Sequence, residues 1–256
     1  MNINIFIKLF FSILFFLFAS ALPAGEKENN FISGKSLDCE GCNLAGLKLK
    51  HMDLRGANLQ NADLRTTSFH RSDLFEANFD NANLEGANLN KTILIKASFK
   101  NANLQNAMFF AADMKKANLE GAQMNGVSMG DAILNSANMQ NIIANQAFFT
   151  GANMPKVNLK GSSFFYTLFN GANLQNAILS RVDVSNSSFY LANMRSADLS
   201  NSKFIQTDFH KARLTGANLN NSDFSYSRFL RSNMRDVLME NTILTNAIKQ
   251  NGDIYE

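Results

Sequence analysis

The sequence predicts an all-β fold, a β-solenoid that fills residues 37–246 with about ten coils of 20 residues each. Three observations predict it. A large apolar residue recurs at every fifth position from Leu44 to Leu244 without a slip. A small residue stands two positions before most of these residues. Phenylalanine is concentrated at every fourth repeat, which indicates that four repeats complete one coil.

The five-residue repeat is the first of these observations, and we call its large apolar residue the centre. The 41 centres comprise 19 Leu, 12 Phe and 8 Met, with Ala144 and Val184 as the exceptions. A helix places neighbours three and four residues apart and a strand alternates every two, so neither period fits. A short extended segment followed by a turn does fit. Because so small a unit cannot bury its own apolar residue, stability must come from the stacking of coils.

The distribution of phenylalanine gives the size of a coil. If four repeats make one coil, every fourth centre belongs to the same stacked column. The column that begins at Leu49 has Phe at seven of its ten centres, whereas the column that begins at Leu54 has none. Stacked rings at strand spacing make favourable aromatic contacts. About ten coils of 20 residues would form a rod roughly 48 Å long, at ~4.8 Å per coil.

Many repeats follow the pattern A-(D/N)-L-x-x, for example residues 82–86 (ANLEG), 172–176 (ANLQN) and 217–221 (ANLNN). In this pattern the chain resembles the pentapeptide-repeat family, over about 210 residues. The resemblance implies a right-handed quadrilateral β-helix. It implies no activity, because a fold does not fix a function.

The first 24 residues differ from the repeats and are predicted to be a signal peptide. One charged side chain, Lys8, precedes an apolar run over residues 9–18 and a group of small residues. This order is typical of a cleaved secretory signal, with cleavage after Ala21 or Ala24. The apolar run is shorter than the ~20 residues of a membrane-spanning helix. We therefore expect a periplasmic or secreted protein.

Two short segments flank the predicted solenoid. Residues 25–36 are predicted to form an N-terminal linker or cap, and residues 247–256 a short C-terminal tail.

The composition and the unbroken repeat argue against several functions. The formal charge of +3 is too small to indicate a nucleic-acid binder. Quinolone-resistance members of the family resemble DNA and present an acidic rod to DNA gyrase, so the charge and the signal peptide disfavour a DNA-mimic inhibitor of a topoisomerase. Catalysis needs a concave site with its partners in hydrogen-bond reach. No inserted loop interrupts the repeats to provide one, so we predict no catalytic residue and no cofactor, with an envelope enzyme as the distant alternative.

Cys39 and Cys42 form a C-x-x-C motif in the first coil. A zinc site needs about four ligands, and no second such pair follows. Both cysteines fall on inward positions of the repeat. We therefore predict buried thiols or an end-cap disulfide, which an oxidising exported environment favours.

All three histidines, His51, His70 and His210, fall on outward positions of the Phe-rich side. His51 and His70 could form a metal site with two nearby aspartates. Lys50 and Arg71 crowd the same corner and would repel a cation, so we predict no metal site there.

Two groups of outward residues are candidate contact surfaces. A basic edge suits an anionic envelope surface such as phosphate-rich lipid or acidic glycan, and comprises Lys50, Arg71, Lys91, Lys211 and Arg231. An apolar patch often marks an interface with a partner protein or a second copy. Its residues, predicted to share one corner of the later coils, are Phe165, Tyr166, Leu168, Tyr190, Leu191, Ile205, Tyr226 and Leu230. An ordinary mixed surface is the alternative. We predict a non-catalytic exported module for protein interaction or structure in the cell envelope.

Overall fold

The computed structural model describes residues 25–255, in which one helix, α1 (Glu26–Ile32), precedes a long rod of coils. The predicted signal peptide lies outside the described residues. Within the rod, the residue before each centre pairs in parallel with the residue 20 positions later, from the pair Asp38–Asn58 to the pair Arg228–Ile248. The predicted 20-residue coil is confirmed, and the fold is an all-β, right-handed quadrilateral solenoid.

Four faces follow from this register, and each is numbered by its centres. Face 1 carries the centres at every 20th residue from 44 to 244, face 2 those from 49 to 249, face 3 those from 54 to 234, and face 4 those from 39 to 239. The two residues after each centre form the corner that leads to the next face. A corner therefore borders two faces equally.

Each corner is a tight turn that needs an unusual backbone conformation. The N–H three residues after a centre donates to the carbonyl of that centre, as Ala57 does to Leu54 at 3.0 Å. The residue two after the centre has a positive φ in every repeat from Gly41 to Asn246. Glycine and asparagine tolerate this region best. Their recurrence at this position, including Asn61 and its stacked equivalents, follows from the turn and needs no ligand.

Hydrogen bonds between coils engage most of the remaining N–H groups. The centre N–H donates to a carbonyl 19 residues later, as Leu54 does to Asp73 at 2.8 Å, and Asp73 N–H donates back to Met52 at 2.9 Å. The N–H of the residue after the centre has no backbone acceptor. The side chain of an Asp or Asn before the centre accepts it, as Asn158 Oδ1 accepts the N–H of Lys160 at 3.2 Å. This explains the second position of the motif, because a buried or half-buried donor needs a partner.

Stacked phenylalanines form much of the core, as their column predicts. The rings of Phe149, Phe169 and Phe189 on face 2 are nearly parallel, with centroids 4.9 and 4.8 Å apart. Phe164 on face 1 meets Phe169 edge-on at 5.3 Å. All four side chains are fully buried. Burial and dispersion thus stabilise the same 20-residue register that the backbone hydrogen bonds set.

The N-terminal end of the rod is covered. Helix α1 buries Phe31 against the core, and the carboxylate of Glu28 accepts a hydrogen bond from Asn43 N–H at 3.3 Å. Cys39 and Cys42 are joined by a disulfide in the first coil, and both are buried. The segment over residues 25–36 is therefore a cap.

The C-terminal boundary of the solenoid, predicted at residue 246, is wrong by part of a repeat. Ile248 still pairs with Arg228 in the coil below, and Ile254 folds back to pair with Ile248 in antiparallel fashion. The polar residue Lys249 occupies the last centre, which hides the final repeat from a search for apolar residues. Its ammonium lies 5.1 Å from the ring centroid of Tyr255.

Replacement of a ring in the middle of the stack tests the stabilising role of the core. Phe169→Ala should lower the free energy of unfolding by ~3–5 kcal/mol, because a fully buried ring leaves a cavity. Phe148→Ala is the control, since that ring is 48% exposed one position from a centre, and it should cost less than about 1 kcal/mol. Urea denaturation measures both, and equal losses would contradict the assignment of inward and outward positions.

Candidate interaction surface

Face 2 differs from the other three faces at the position before the centre. Asn or Asp fills that position in most repeats of face 4, whereas the middle coils of face 2 place Met108, Phe148 and Leu168 there. Met108 is 37% exposed and Phe148 is 48% exposed. Met108 and Phe148 are not among the residues predicted from the sequence, although both depart visibly from the A-(D/N)-L motif.

The loss of the Asn or Asp side chain at Met108 is compensated by another residue. Phe110 N–H, which would otherwise use that side chain, donates to Asn90 Oδ1 in the coil below at 2.7 Å. Tyr190 N–H donates in the same way to Asn170 Oδ1 at 3.2 Å. At Met108 an apolar outward residue is therefore accommodated without leaving the turn donor unpaired.

The predicted apolar patch does not lie at one corner. The register places its residues on both corners that border face 2, because residues 166 and 190 belong to different turns of the coil. The corner between faces 1 and 2 holds Phe165, Tyr166, Ile205 and Tyr226. The corner between faces 2 and 3 holds Tyr190, Leu191 and Leu230, with Leu168 on the face between. Tyr166, Tyr226 and Leu191 are 62%, 58% and 51% exposed, and the other five are half-buried.

Charge is nearly absent from the middle of this surface. We define the apolar face as face 2 with its two corners over five coils, residues 105–111, 125–131, 145–151, 165–171 and 185–191. Asp131 is the one charged residue in these segments. Phe110, which is 44% exposed, adds a further aromatic ring. Several exposed apolar side chains on one face of a protein are typical of a contact site.

The five residues of the predicted basic edge lie on one corner, between faces 2 and 3, but in two clusters. Lys50, Arg71 and Lys91 precede the apolar face, and Lys211 and Arg231 follow it. The apolar face is thus flanked at each end by positive charge. At the second cluster the Arg228 guanidinium is paired with the Asp208 carboxylate at 2.8 Å, which neutralises both.

The histidines lie among these basic residues. The rings of His51 and His70 meet edge-on at 6.2 Å, and His210 stacks on Tyr190 at 5.5 Å. Desolvation lowers the pKa of His70, and the positive charge of Arg71 lowers it further. Desolvation and the nearby Arg228 guanidinium likewise lower the pKa of His210. The surroundings of both rings therefore favour the neutral form.

The charges of Lys50 and Arg71 disfavour a metal site at His51 and His70. Among residues 25–255, the structure has no group of three or more His, Cys, Asp or Glu side chains placed to hold a metal ion. The same residues include no helix with the length and apolar character needed to cross a bilayer.

The sequence model described as pentapeptide repeats matches in eight copies, over residues 37–71, 72–109, 112–142, 132–165, 167–205 and 202–241. The chain belongs to the pentapeptide-repeat family. The sequence has no significant match among curated proteins.

Several solved pentapeptide-repeat structures are similar to this pentapeptide-repeat protein. HetL, described as involved in heterocyst differentiation regulation in the cyanobacterium Nostoc sp. strain PCC 7120, is 23% identical, with 92% of this chain and all of HetL covered and a TM-score of 0.47. Full-length QnrB1, described as a plasmid-mediated fluoroquinolone resistance protein, is 14% identical over 80% of this chain and 94% of its own, with a TM-score of 0.31. A pentapeptide-repeat protein of the Arabidopsis thaliana thylakoid lumen is 24% identical over 48% of this chain and 75% of its own, with a TM-score of 0.22.

The lowered histidine pKa values predict how stability depends on pH. The unfolded chain binds protons at His70 and His210 more readily than the folded chain does, so acid favours unfolding. The free energy of unfolding should fall as pH drops from about 7 through the ordinary histidine pKa of about 6.5. Denaturant melts between pH 7.5 and 5 measure this. The double variant His70→Gln, His210→Gln should have a flatter slope, and an unchanged slope would contradict the assignment.

Proposed function

We propose that this pentapeptide-repeat protein is a non-catalytic interaction module, exported to the cell envelope, that binds a partner protein through the apolar face. The observation that carries the proposal is the placement of Met108, Phe148 and Leu168 before the centres of face 2, in segments whose one charged residue is Asp131. Export rests on the signal-peptide pattern of the first 24 residues.

The chemistry of the apolar face suits a protein partner. The centres of protein interfaces are depleted in charge and enriched in Tyr, Phe and Met. Tyr166, Phe148 and Phe110 supply exposed rings, and such rings dominate binding energy when they enter a pocket. Hydrogen bonds fix the backbone beneath them on both sides, so little conformational entropy is lost on binding.

The basic clusters support a second candidate, contact with an anionic envelope surface. Lys50, Arg71 and Lys91 lie on consecutive coils of one corner, so their charges add along a line. This arrangement also opposes the topoisomerase alternative. A DNA-mimic inhibitor needs rows of acidic residues, and face 2 with its corners carries more basic than acidic side chains.

A crosslinking pull-down from the envelope fraction tests the proposal with two variants. The triple variant Phe148→Ser, Tyr166→Ser, Leu191→Ser should lose the captured partner at least about tenfold, since hot-spot residues dominate binding. The charge reversal Lys50→Glu, Arg71→Glu, Lys91→Glu should retain a protein partner and should lose an anionic one.

The matched control is Ile143→Ser with Ile178→Ser. These residues occupy the same position of the repeat on faces 1 and 4 and are 46% and 39% exposed. Capture by the control should equal that of the wild-type protein. Equal capture by the triple variant would refute the apolar face as the site. Recovery of the protein from the cytosol alone would refute the envelope assignment.

A further inference from the structure

A histidine followed by a basic residue forms the corner between faces 2 and 3 in two coils, at residues 70–71 and, seven coils of 20 residues later, at residues 210–211. The position before the centre differs between the two coils. Ser68 occupies it in the first and Asp208 in the second. The two corners are thus matched in their turn residues, and the second has a carboxylate that the first does not.

At the second corner, two kinds of donor hold the Asp208 carboxylate. Its Oδ1 accepts the backbone N–H of His210 at 2.9 Å. The guanidinium of Arg228, which pairs with Asp208 across the coils, donates from Nε at 2.9 Å and from Nη2 at 2.8 Å. This position of the repeat therefore binds an oxyanion through one backbone N–H and one cationic side chain of an adjacent coil.

The first corner has the same kinds of donor but no carboxylate to accept from them. Within residues 25–255, the backbone N–H of His70 has no acceptor, and neither has the N–H of Lys50 one coil below. The Ser68 hydroxyl makes no hydrogen bond to a described residue, so it does not replace the carboxylate. Lys48 pairs with Ser68 across the coils and supplies the cationic side chain.

Both of these N–H groups point to the outside of the rod. The N–H at this position donates elsewhere to an outward side chain, as Lys160 does to Asn158 Oδ1 at 3.2 Å. Adjacent coils lie ~4.8 Å apart, so the N–H groups of Lys50 and His70 lie side by side along the corner. A ligand with two or more acceptor oxygens can therefore bind both.

Basic side chains surround these N–H groups. Four exposed ones lie on three consecutive coils: Lys48, Lys50, Arg71 and Lys91. None of the four forms an ion pair within the part of the chain that the structure describes. The acids nearest to them in the sequence, Asp53 and Asp73, lie on face 3 and pair with Arg55. Four positive charges are thus uncompensated, which favours an anion with more than one negative charge.

We propose that this corner is a phosphate-binding site, which we call the anion site and define by Lys48, Lys50, His70, Arg71 and Lys91. One phosphate oxygen accepts the His70 N–H, at the place that the Asp208 carboxylate has in the second corner, and a second oxygen accepts the Lys50 N–H. A phosphate monoester suits the site, because it has three acceptor oxygens and a charge of about −1.5 to −2 at pH 7. A lipid headgroup or a soluble molecule carries this group, and the experiment distinguishes the two.

The anion site does not depend on the proposed protein partner, because it uses neither the apolar face nor export. It gives the second candidate, an anionic surface, a defined point of contact. Loss of capture by the apolar-face variant and loss of phosphate binding are separate results, so either proposal can fail alone.

His70 reports whether the anion site is occupied, because its own N–H is a proposed donor. Desolvation is the main cause that lowers the pKa of its ring. The charged groups that lower this pKa further are Arg71, His51, Lys50 and Lys91. A bound phosphate opposes these charges and so raises the pKa of His70. His210 is the internal control, since Asp208 already holds the equivalent position.

NMR titration of the histidine ring protons with inorganic phosphate tests the inference, with sodium chloride holding the ionic strength constant. Phosphate should raise the pKa of His70 by about half a unit or more and should leave that of His210 unchanged. Ser68→Asp should abolish the response of His70, because the new carboxylate accepts its N–H. Asp208→Ser is the reciprocal variant and should give His210 a response. Both Asp and Ser occur at this position in other repeats, so both variants should keep the fold.

Vesicle sedimentation distinguishes the source of the phosphate. If a lipid headgroup is the ligand, vesicles that contain phosphatidic acid should bind the wild-type protein about fivefold more tightly than Ser68→Asp. A His70 response to inorganic phosphate without this difference identifies a soluble phosphate monoester. The inference is overturned if phosphate leaves the pKa of His70 unchanged relative to chloride, raises the pKa values of His70 and His210 equally, or acts on Ser68→Asp as on the wild-type protein.

Discussion

The hydrogen bond from each centre N–H to the carbonyl 19 residues later is the interaction on which the rest of the rod depends. It fixes a 20-residue register that cannot shift without moving every inward side chain off its column. The residue with positive φ at each corner permits this register, because it turns the chain within two residues. The parallel rings of Phe149, Phe169 and Phe189 are a consequence of that register. Stability is therefore distributed along the rod as a sum of contacts between neighbouring coils.

The same constraint decides where function can reside. The centre and the residue two before it are buried, so variation is confined to the three outward positions of each repeat. At one of these positions, the one before the centre, the side chain normally accepts a hydrogen bond from the N–H of the residue after the centre. Met108 departs from this rule, and Asn90 in the coil below supplies the missing acceptor to Phe110. At Met108 the rod thus carries an apolar outward residue while the turn donor beside it stays bonded.

Much of the fold could be predicted because the inward positions of the coil recur at fixed intervals in the sequence. The spacing of centres and the Phe column starting at Leu49 were sufficient for the coil and its four sides. The contact surface was harder. Tyr166 and Tyr190 were expected at one corner because both border face 2, but Tyr166 lies in the turn before that face and Tyr190 in the turn after it. Phe148 was missed because a polar residue is the rule at its position. The pairing of Ile254 with Ile248 depends on a chain reversal outside the repeat, for which the five-residue period carries no information.

Amide hydrogen exchange of the protein, resolved by residue, tests most directly that the hydrogen bonds between coils hold the rod together. We expect strong protection at the centre N–H groups of the inner coils, such as Phe169, whose donor is bonded to Ser188 at 2.7 Å. Met239 and Leu244 occupy the same position in the last coil and lack that acceptor, so they should exchange at close to the rate of an unprotected amide. Protection that is uniform along the chain, or absent at Phe169, would contradict the dependence of the fold on this hydrogen bond.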